Sequence, residues 1–208
     1  MGEVRIIGGL WRRSKLAVPD QPGLRPTPDR LRETLFNWLG QDLSGWRVLD
    51  AFAGSGALGF EAASRGAAEV LLLEQDPELA RSLNASRERL KAQALQVQRT
   101  DALAWMKAAA TPRFELVLLD PPFAAGLGEA ALAAAARLLV PGGLVYLEAG
   151  EPYTGAVPSG LVPWRSGRAG AVHAALWQRE TPDPHPERSE EHTSELQSQS
   201  TISYAVFC

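Results

Sequence analysis

The chain has 208 residues, enough for one sizeable α/β domain and a short appendage but not for two full domains. Its 45% hydrophobic residues, 22% charged residues and net charge of −3 are typical of a soluble globular protein, and no run approaches the roughly 20 apolar residues of a membrane span. The only cysteine is Cys208, the last residue, which excludes a disulfide framework, a cysteine-ligated metal site and a cysteine nucleophile in the body of the protein.

Residues 1–40 are predicted to form a basic extension ahead of the main domain. Their start has no apolar core followed by a small-residue cleavage site, so we predict no signal peptide and a cytoplasmic location. Val4–Leu10 and Ser14–Val18 are predicted to pair as a hairpin, and a helix is predicted from Asp29 to Leu39. Basic residues with an aromatic ring among them favour contact with RNA. The candidates for that contact are Arg5, Trp11, Arg12, Arg13, Lys15 and Arg25.

Residues 41–180 show the alternation of strand and helix patterns that is typical of an α/β domain. Short apolar runs predict strands at Trp46–Phe52, Glu69–Glu74, Ala94–Arg99, Phe114–Asp120 and Leu144–Ala149. Helices are predicted from Leu58 to a stop at Gly66 and over Pro77–Leu90, Asp101–Ala109 and Leu127–Leu139, with a tight turn at Pro141–Gly143. This alternation predicts a mostly parallel sheet, which an antiparallel hairpin of Trp164–Ser166 and Ala171–Gln178 is expected to close.

Residues 181–208 are predicted to be a disordered tail without a function. They are polar and aperiodic, and they end in a short apolar run with no neighbouring element to pair with. From Arg188 onward, the stretches RSEEHTSEL and ISYAVFC resemble a translated sequencing-library adapter that was read through beyond the true end of the gene. We therefore draw nothing functional from His192 or Cys208.

A glycine-containing turn after the first predicted strand indicates a cofactor site. Glycines there let the backbone approach a ligand closely, and the open amides of the next helix lie beside it. Gly54, Gly56 and Gly59 have the spacing of a dinucleotide-binding motif, so a dehydrogenase remains an alternative at this point. An acid about 20 residues on would hold a ribose in either case. The residues expected to bind an adenosine-type cofactor are Asp50, Phe52, Gly54, Gly56 and Glu74.

The run Asp120-Pro121-Pro122-Phe123 favours chemistry on an amino group. It follows a predicted strand at the end where α/β proteins bind ligands, and its prolines make a rigid loop. The carboxylate and a backbone carbonyl offer two acceptors for an NH₂ group, and the ring offers a face for stacking a planar base. A dehydrogenase has no use for this set, so these four residues are the catalytic candidates. Asp101 is expected to reach the adenine of the cofactor, with a helix N-cap as the alternative.

Four segments in this order resemble the RsmD family: RIIGGLWRRSKL, LRPTPDRLRETLFNWL, LDAFAGSGALGFEAASRGA and LDPPF. The resemblance covers roughly Val4–Glu180. It implies a class I, Rossmann-like methyltransferase fold with a seven-stranded sheet and S-adenosyl-L-methionine as methyl donor. It further implies, as substrate, a guanine N2 in the 16S ribosomal RNA of a 30S subunit or assembly intermediate. We expect a monomer that uses no metal and no membrane.

The resulting hypothesis gives each candidate a role. Glu74 holds the cofactor ribose and Asp101 its adenine, while the loop from Asp50 to Gly56 packs against the amino-acid end. A guanine flipped out of its stack lies on Phe123, with Asp120 and the Pro121 carbonyl orienting its amino group. Two alternatives remain open. One is an adenine or cytosine amino-methyltransferase acting on DNA or another RNA; the other is a non-catalytic RNA-binding or ribosome-assembly factor.

Overall fold

The computed structural model describes residues 2–19, 28–122 and 126–182 of the chain. Strands and helices alternate along most of these ranges. The strands are β1 (Gly2–Arg5), β2 (Lys15–Val18), β3 (Arg47–Asp50), β4 (Glu69–Glu74), β5 (Leu95–Arg99), β6 (Phe114–Leu119), β7 (Leu139–Ala149), β8 (Leu161–Ala169) and β9 (Val172–Arg179). The helices are α1 (Asp29–Trp38), α2 (Ala57–Ser64), α3 (Pro77–Arg89), α4 (Ala102–Ala108) and α5 (Gly128–Ala136). Within these ranges no helix is both long and apolar enough to cross a membrane.

A seven-stranded sheet in the order β5-β4-β3-β6-β7-β9-β8 forms the centre of the protein. The five strands from β5 to β7 are parallel to their neighbours, and β9 runs antiparallel to both β7 and β8. The predicted mostly parallel sheet and its closing hairpin are thus confirmed. The hairpin strands are longer than the sequence predicts, because Leu161–Ala169 pairs along its whole length with Val172–Arg179.

Helices cover both faces of the sheet. On one face, α1, α2 and α3 and the N-terminal segment contribute Ile6, Leu35, Phe36, Phe60 and Leu83 to a buried cluster with the strands. On the other face, α4 and α5 contribute Met106 and Leu132 to a second cluster. The central strands therefore lack polar alternation, since a strand covered on both sides must be apolar in both directions.

The predicted end of α5 and the predicted turn before β7 are wrong. The Ala-rich helix ends at Ala136, and Leu139 already pairs with Phe114 of β6, so the segment predicted as a turn lies within β7. The register then shifts, and Leu116 pairs with Leu144. β7 thus carries extra residues against β6, which is a bulge of the sheet. Pairing with a distant strand decides where this element begins, and a local apolar pattern does not reveal it.

The N-terminal hairpin is shorter than predicted. Regular pairing of β1 with β2 ends at the pair Arg5–Lys15, although the amide of Ile6 still donates to the carbonyl of Ser14 at 2.9 Å. Residues 7–11 were predicted to continue the first strand and the turn. Four of their five amides donate to Glu61 and Ser64 of α2 instead, so this stretch is held by the body of the protein.

Candidate active site

Acidic side chains stand at the carboxyl ends of three adjacent parallel strands. Asp50 ends β3, Glu74 ends β4 and Asp120 directly follows β6, and these strands are neighbours in the sheet. Ligands of open α/β sheets bind outside the carboxyl ends of the strands, where the strand order reverses. From β3 the chain crosses to β4 on one side of β3, while β6 lies on the other side of β3. The three acids therefore lie around the crevice at this reversal of strand order.

The loop after β3 has a backbone conformation that favours glycine. Gly56 has φ 78° and provides the residue before the first turn of α2. A Cβ atom there would lie 2.6 Å from a methyl carbon of Leu83, so a side chain is excluded by space as well as by conformation. Gly54 also has positive φ, at 49°. Phe52 is half-buried and packs against the cluster on the α4 and α5 face.

Asp50 is a buried carboxyl group with one unsatisfied oxygen. Its side chain is 1% exposed, and Oδ2 accepts a hydrogen bond from the amide of Gly59 at 2.9 Å. Oδ1 is buried and has no hydrogen-bond partner among the described residues. Burial raises the pKa of Asp50 to about 7, and the negative charges of Asp120 and Glu74 contribute to the rise. The structure therefore brings these three predicted residues within electrostatic reach of one another.

Glu74 is joined to the glycine loop. Its Oε2 accepts from the amide of Gly54 at 2.9 Å, and its Oε1 accepts from the amide of Asp76 at 2.8 Å. Asp76 in turn caps α3 by accepting from the amides of Glu78 and Leu79. The half-buried carboxylate thus has a fixed orientation at the mouth of the crevice. A carboxylate accepts at about four positions, so these two amides are compatible with a ribose hydroxyl as a further donor.

Asp101 caps a helix, which is the alternative that the sequence left open. It lies between β5 and α4, is exposed, and accepts from the amide of Ala104 at 2.7 Å. This bond fixes one carboxylate oxygen at the edge of the crevice next to β4. Its contact with adenine stays a prediction.

The catalytic candidates follow β6. Asp120 is half-buried, Pro121 is buried and Pro122 is exposed, while Phe123 lies outside the described residues. The charge of Asp120 acts on Asp50 of β3 and on Tyr146 of β7, because it raises the pKa of both groups. β6 lies between β3 and β7 in the sheet, so Asp120 follows the strand between these two.

The basic candidates lie at the N-terminal surface. Arg5, Arg12, Arg13 and Lys15 are exposed, and Arg25 lies outside the described residues. Lys15 pairs with Glu3 at 2.6 Å, so its charge is partly compensated. Trp11 is half-buried and packs against the core rather than projecting into solvent. Contact of these residues with RNA stays a prediction.

A buried ion cluster that sequence reasoning missed fixes the N-terminal segment to α2. Glu61 is 0% exposed and accepts from the amides of Ile7 at 2.8 Å and Gly8 at 2.7 Å. It also pairs with Arg65 at 2.8 Å and with Arg32, which is 0% exposed, at 3.5 Å. An acid in the otherwise apolar helix sequence ALGFEAAS was the available signal, since such a residue is rarely buried without partners.

The helix and the segment also meet through backbone and hydroxyl groups. Ser64 Oγ donates to the carbonyl of Gly8 at 2.6 Å and accepts from the amide of Trp11 at 2.9 Å. A Cβ atom on Gly9, which has φ 73°, would lie 1.9 Å from the carbonyl oxygen of Ser64. The glycine pair of the IIGGLW stretch therefore serves close packing on α2, the helix that begins at the cofactor loop.

The strand order, the antiparallel β9 inserted beside β7 and the acids at the strand ends together define a class I methyltransferase fold. Residues 4–178 match the family described as "Conserved hypothetical protein 95". The chain belongs to that family, the RsmD family, which confirms the resemblance seen in the sequence.

Relatives with assigned names cover most of the chain. "Ribosomal RNA small subunit methyltransferase D" of Escherichia coli (strain K12) is 44% identical over 187 residues, which is 86% of this chain and 91% of that protein. The protein of the same name from Haemophilus influenzae is 41% identical over 182 residues, 85% of this chain and 94% of its own length. The solved structure of yhhF from Escherichia coli is 41% identical and superposes with a TM-score of 0.77, covering 86% of this chain and 99% of that one.

Proposed function

We propose that this protein transfers a methyl group from S-adenosyl-L-methionine to the exocyclic N2 of a guanine in 16S ribosomal RNA. The observation that carries the proposal is the position of Asp120-Pro121-Pro122 at the end of β6, beside the cofactor loop after β3. A rigid acceptor pair at that place suits an amino group that must face a methyl donor. The names of the relatives support a small-subunit ribosomal RNA substrate, which would place the enzyme in the cytoplasm.

The donor atoms at the strand ends fit S-adenosyl-L-methionine. The carboxylate of Glu74 would accept from the ribose hydroxyls, and Asp101 would accept from the adenine amino group. The buried Oδ1 of Asp50, which has no partner among the described residues, would meet the ammonium group of the amino-acid end beside Gly54 and Gly56. The cofactor supplies an electrophilic methyl group on a sulfonium ion.

The residues after β6 would orient the nucleophile. The lone pair of an exocyclic nitrogen is delocalised into the ring of the base, so the nitrogen is a poor nucleophile. Hydrogen bonds from the amino group to Asp120 and to the Pro121 carbonyl would draw it toward tetrahedral geometry. Asp120 and the Pro121 carbonyl would hold this nitrogen facing the methyl group that the cofactor would supply, and the nitrogen would lose its proton after the transfer. Asp120 therefore need not be a strong base, and the rate gain comes from position and electrostatics.

The target guanine must leave its stack to reach this site, as bases do in enzymes that modify them. Phe123 would provide the stacking face. We propose that Arg5, Trp11, Arg12, Arg13, Lys15 and Arg25 form the RNA-binding side, within residues 1–40, and that residues 41–180 form the methyltransferase domain. The exposed guanidinium groups of Arg12 and Arg13 are the strongest candidates for phosphate contacts, since Lys15 shares its charge with Glu3.

Labelled-methyl transfer tests the proposal directly. The protein is incubated with labelled S-adenosyl-L-methionine and either naked 16S RNA or 30S particles from cells that lack the corresponding enzyme, and the modified nucleotide is mapped. We expect label on N2 of one guanine, and labelling at least about 100-fold slower with Asp120→Ala. Label on an adenine or cytosine would support an amino-methyltransferase of different base specificity. RNA binding with no transfer on either substrate would support a non-catalytic assembly factor.

A further inference from the structure

The outer edge of the N-terminal hairpin is joined to α3. Ser82 Oγ donates to the carbonyl of Ala17 at 2.8 Å, and Nη2 of Arg89 donates to the carbonyl of Lys15. Lys15 and Ala17 are alternate residues of β2, so their carbonyls point to the same edge of the strand, and β1 pairs along the other edge. β2 is therefore held between β1 and α3, and the hairpin and the helix form one continuous surface.

Three cations follow one another across this surface. Arg5 of β1 lies directly opposite Lys15 of β2 in the register, where Cβ atoms are roughly 5 Å apart. Arg89 lies on the other side of Lys15, because its guanidinium group reaches the outer edge of β2. All three residues are exposed. This basic row, made of Arg5, Lys15 and Arg89, therefore crosses from the hairpin onto α3.

Folding stability does not explain the basic row. Like charges directly opposite each other on neighbouring strands destabilise a hairpin. Glu3 pairs with Lys15 at 2.6 Å, which sets one acid against three cations. Neither Arg5 nor Arg89 forms an ion pair with any acid in the part of the chain that the structure describes. The row thus carries positive charge that only a partner can neutralise.

A nucleic-acid backbone fits the basic row better than a single small anion does. Phosphates follow one another along the backbone as the cations do across the surface, and the planar guanidinium group matches the geometry of a phosphate. The row also continues the proposed RNA-binding side, which includes Arg5 and Lys15. Charge and continuity both point to RNA as the partner.

The position of the row on α3 tells which part of the RNA it can reach. The helix runs over Pro77–Arg89 and begins beside the crevice, two residues after Glu74. At 1.5 Å per residue, Arg89 lies about 18 Å along the helix from that end. The row can therefore hold RNA that flanks the target, and it does not touch the target base.

We infer that Arg89 binds a backbone phosphate of the substrate RNA beside Arg5, so that the RNA-binding surface extends beyond residues 1–40 onto α3. This inference rests on the proposed function and deepens it, because it adds a contact from the helix that follows the proposed ribose-binding acid. Arg89 takes no part in the chemical step. Its contribution is to the affinity for RNA, and that affinity depends on salt.

The test compares three variants of one helix. Arg89→Gln removes the charge, and Arg89→Lys keeps it. Arg87→Gln is the matched control, since Arg87 lies in the same last turn of α3 but about 200° around the helix from Arg89. Binding to 30S particles from cells that lack the corresponding enzyme is measured over a salt series. Urea unfolding, calorimetry with S-adenosyl-L-methionine and single-turnover methylation at saturating protein accompany it.

Arg89→Gln should lower the slope of log affinity against log salt by about 0.7–0.9, which corresponds to about 5- to 8-fold weaker binding at about 0.1 M salt. Arg89→Lys should keep most of the slope, because the phosphate contact needs a charge. Arg87→Gln should bind like the wild type. The saturated methylation rate and the cofactor affinity should not change in any of the three. A purely structural role for Arg89, as a support of the Lys15 carbonyl, would lower the free energy of unfolding and leave the salt slope intact.

Two results overturn the inference while the proposed function stands: an unchanged salt slope in Arg89→Gln, or an equal decrease of the slope in Arg87→Gln. If the wild type binds the particles and methylates no guanine, the proposed function is overturned, and the salt slopes still decide whether Arg89 contacts RNA. Failure of the wild type to bind the particles overturns both.

Discussion

Oε2 of Glu74 accepts a hydrogen bond from the amide of Gly54 at 2.9 Å, across 20 residues of sequence. The acid at the end of β4 and the glycine loop at the end of β3 therefore form one unit. A ligand that contacts Glu74 acts on a carboxylate whose orientation the loop already fixes. In the proposed function, the residues that hold the cofactor differ from those that face the base, and variants can measure the two roles separately.

Glu74→Ala should weaken the binding of S-adenosyl-L-methionine by about 1.5–3 kcal/mol, because hydrogen bonds to a charged acceptor are removed. The effect includes the loop support from Gly54 and Asp76, so Glu74→Gln, which keeps one acceptor oxygen, should lose less affinity. Titration calorimetry measures both values. Glu88→Ala, at an exposed position of α3, should bind like the wild type. An unchanged dissociation constant in Glu74→Ala would leave Glu74 with a structural role alone.

Asp120→Ala should leave cofactor binding nearly intact and reduce turnover by at least about 100-fold, the scale expected when a positioned polar group is removed. Single-turnover methylation of 30S particles and calorimetry with S-adenosyl-L-methionine test the two halves separately. Strongly weakened cofactor binding with normal turnover at saturating cofactor would assign Asp120 to the cofactor instead of the base.

Asp50→Asn should make the ligand-free protein more stable above neutral pH. In the unfolded chain Asp50 ionises near pH about 4, whereas burial raises its pKa to about 7 in the folded protein. The free energy of unfolding of the wild type therefore falls as the pH rises between these two pKa values. The Asn side chain of the variant has no proton to lose, so the variant does not show this decrease. Its free energy of unfolding in urea, relative to wild type, should rise between about pH 4 and about pH 7 by about 2–4 kcal/mol and then level off.

Asp42→Asn provides a control of opposite sign. Hydrogen bonds from Ser44 lower the pKa of this exposed carboxyl, so its ionised form favours the folded state. Removing the charge should not produce a gain in stability with rising pH. If the difference in free energy of unfolding between Asp50→Asn and wild type does not change with pH, Asp50 is ionised in the folded protein throughout this range.

Replacing Arg12, Arg13 and Lys15 by Ala should weaken RNA binding without affecting the fold or the cofactor affinity. The slope of log affinity against log salt should fall by roughly 0.7–0.9 for each phosphate that the variant no longer neutralises. The matched control is Lys107→Ala with Arg137→Ala, since both side chains are exposed at other surfaces.

Deletion of residues 188–208, predicted to be a functionless tail, should change neither stability nor activity. If that deletion reduces methylation and the triple variant does not, the RNA-binding side has been placed at the wrong end.

Glu61→Gln should reduce the free energy of unfolding by about 3–5 kcal/mol, because buried Arg65 loses the acid that it pairs with and buried Arg32 keeps only its pair with the exposed Asp29. Urea unfolding measures the change, and limited proteolysis should show faster cleavage near Gly8. Glu33→Gln, at an exposed position of α1, should unfold like the wild type. A decrease below about 1 kcal/mol would mean that the amides of Ile7 and Gly8 hold the segment without the ion pairs.

The centre of the sheet could be predicted from the sequence because β3, β4 and β6 are short apolar runs that end at an acid or directly before one. β4 occupies the predicted Glu69–Glu74, and the strand that precedes Asp120 begins at the predicted Phe114. The same runs placed Asp50, Glu74 and Asp120 at strand ends. Local patterns could not reveal the start of β7 or the partners of Glu61. Leu139 continues an Ala-rich helix in sequence, and Glu61 meets Ile7 across 54 residues.

The contacts of Glu61 and Ser64 with residues 7–11 constrain how this enzyme can be re-engineered. A segment grafted from a relative would place different amides and side chains against Glu61 and Ser64 of α2. A Cβ atom at position 9 would lie only 1.9 Å from the Ser64 carbonyl oxygen, so the graft would need glycine there. The helix begins at the loop after β3, so a graft that packs poorly on α2 would disturb the proposed methyl-donor site as well as the proposed RNA-binding side. A chimera intended to change RNA preference must therefore take both the N-terminal segment and α2 from the same relative.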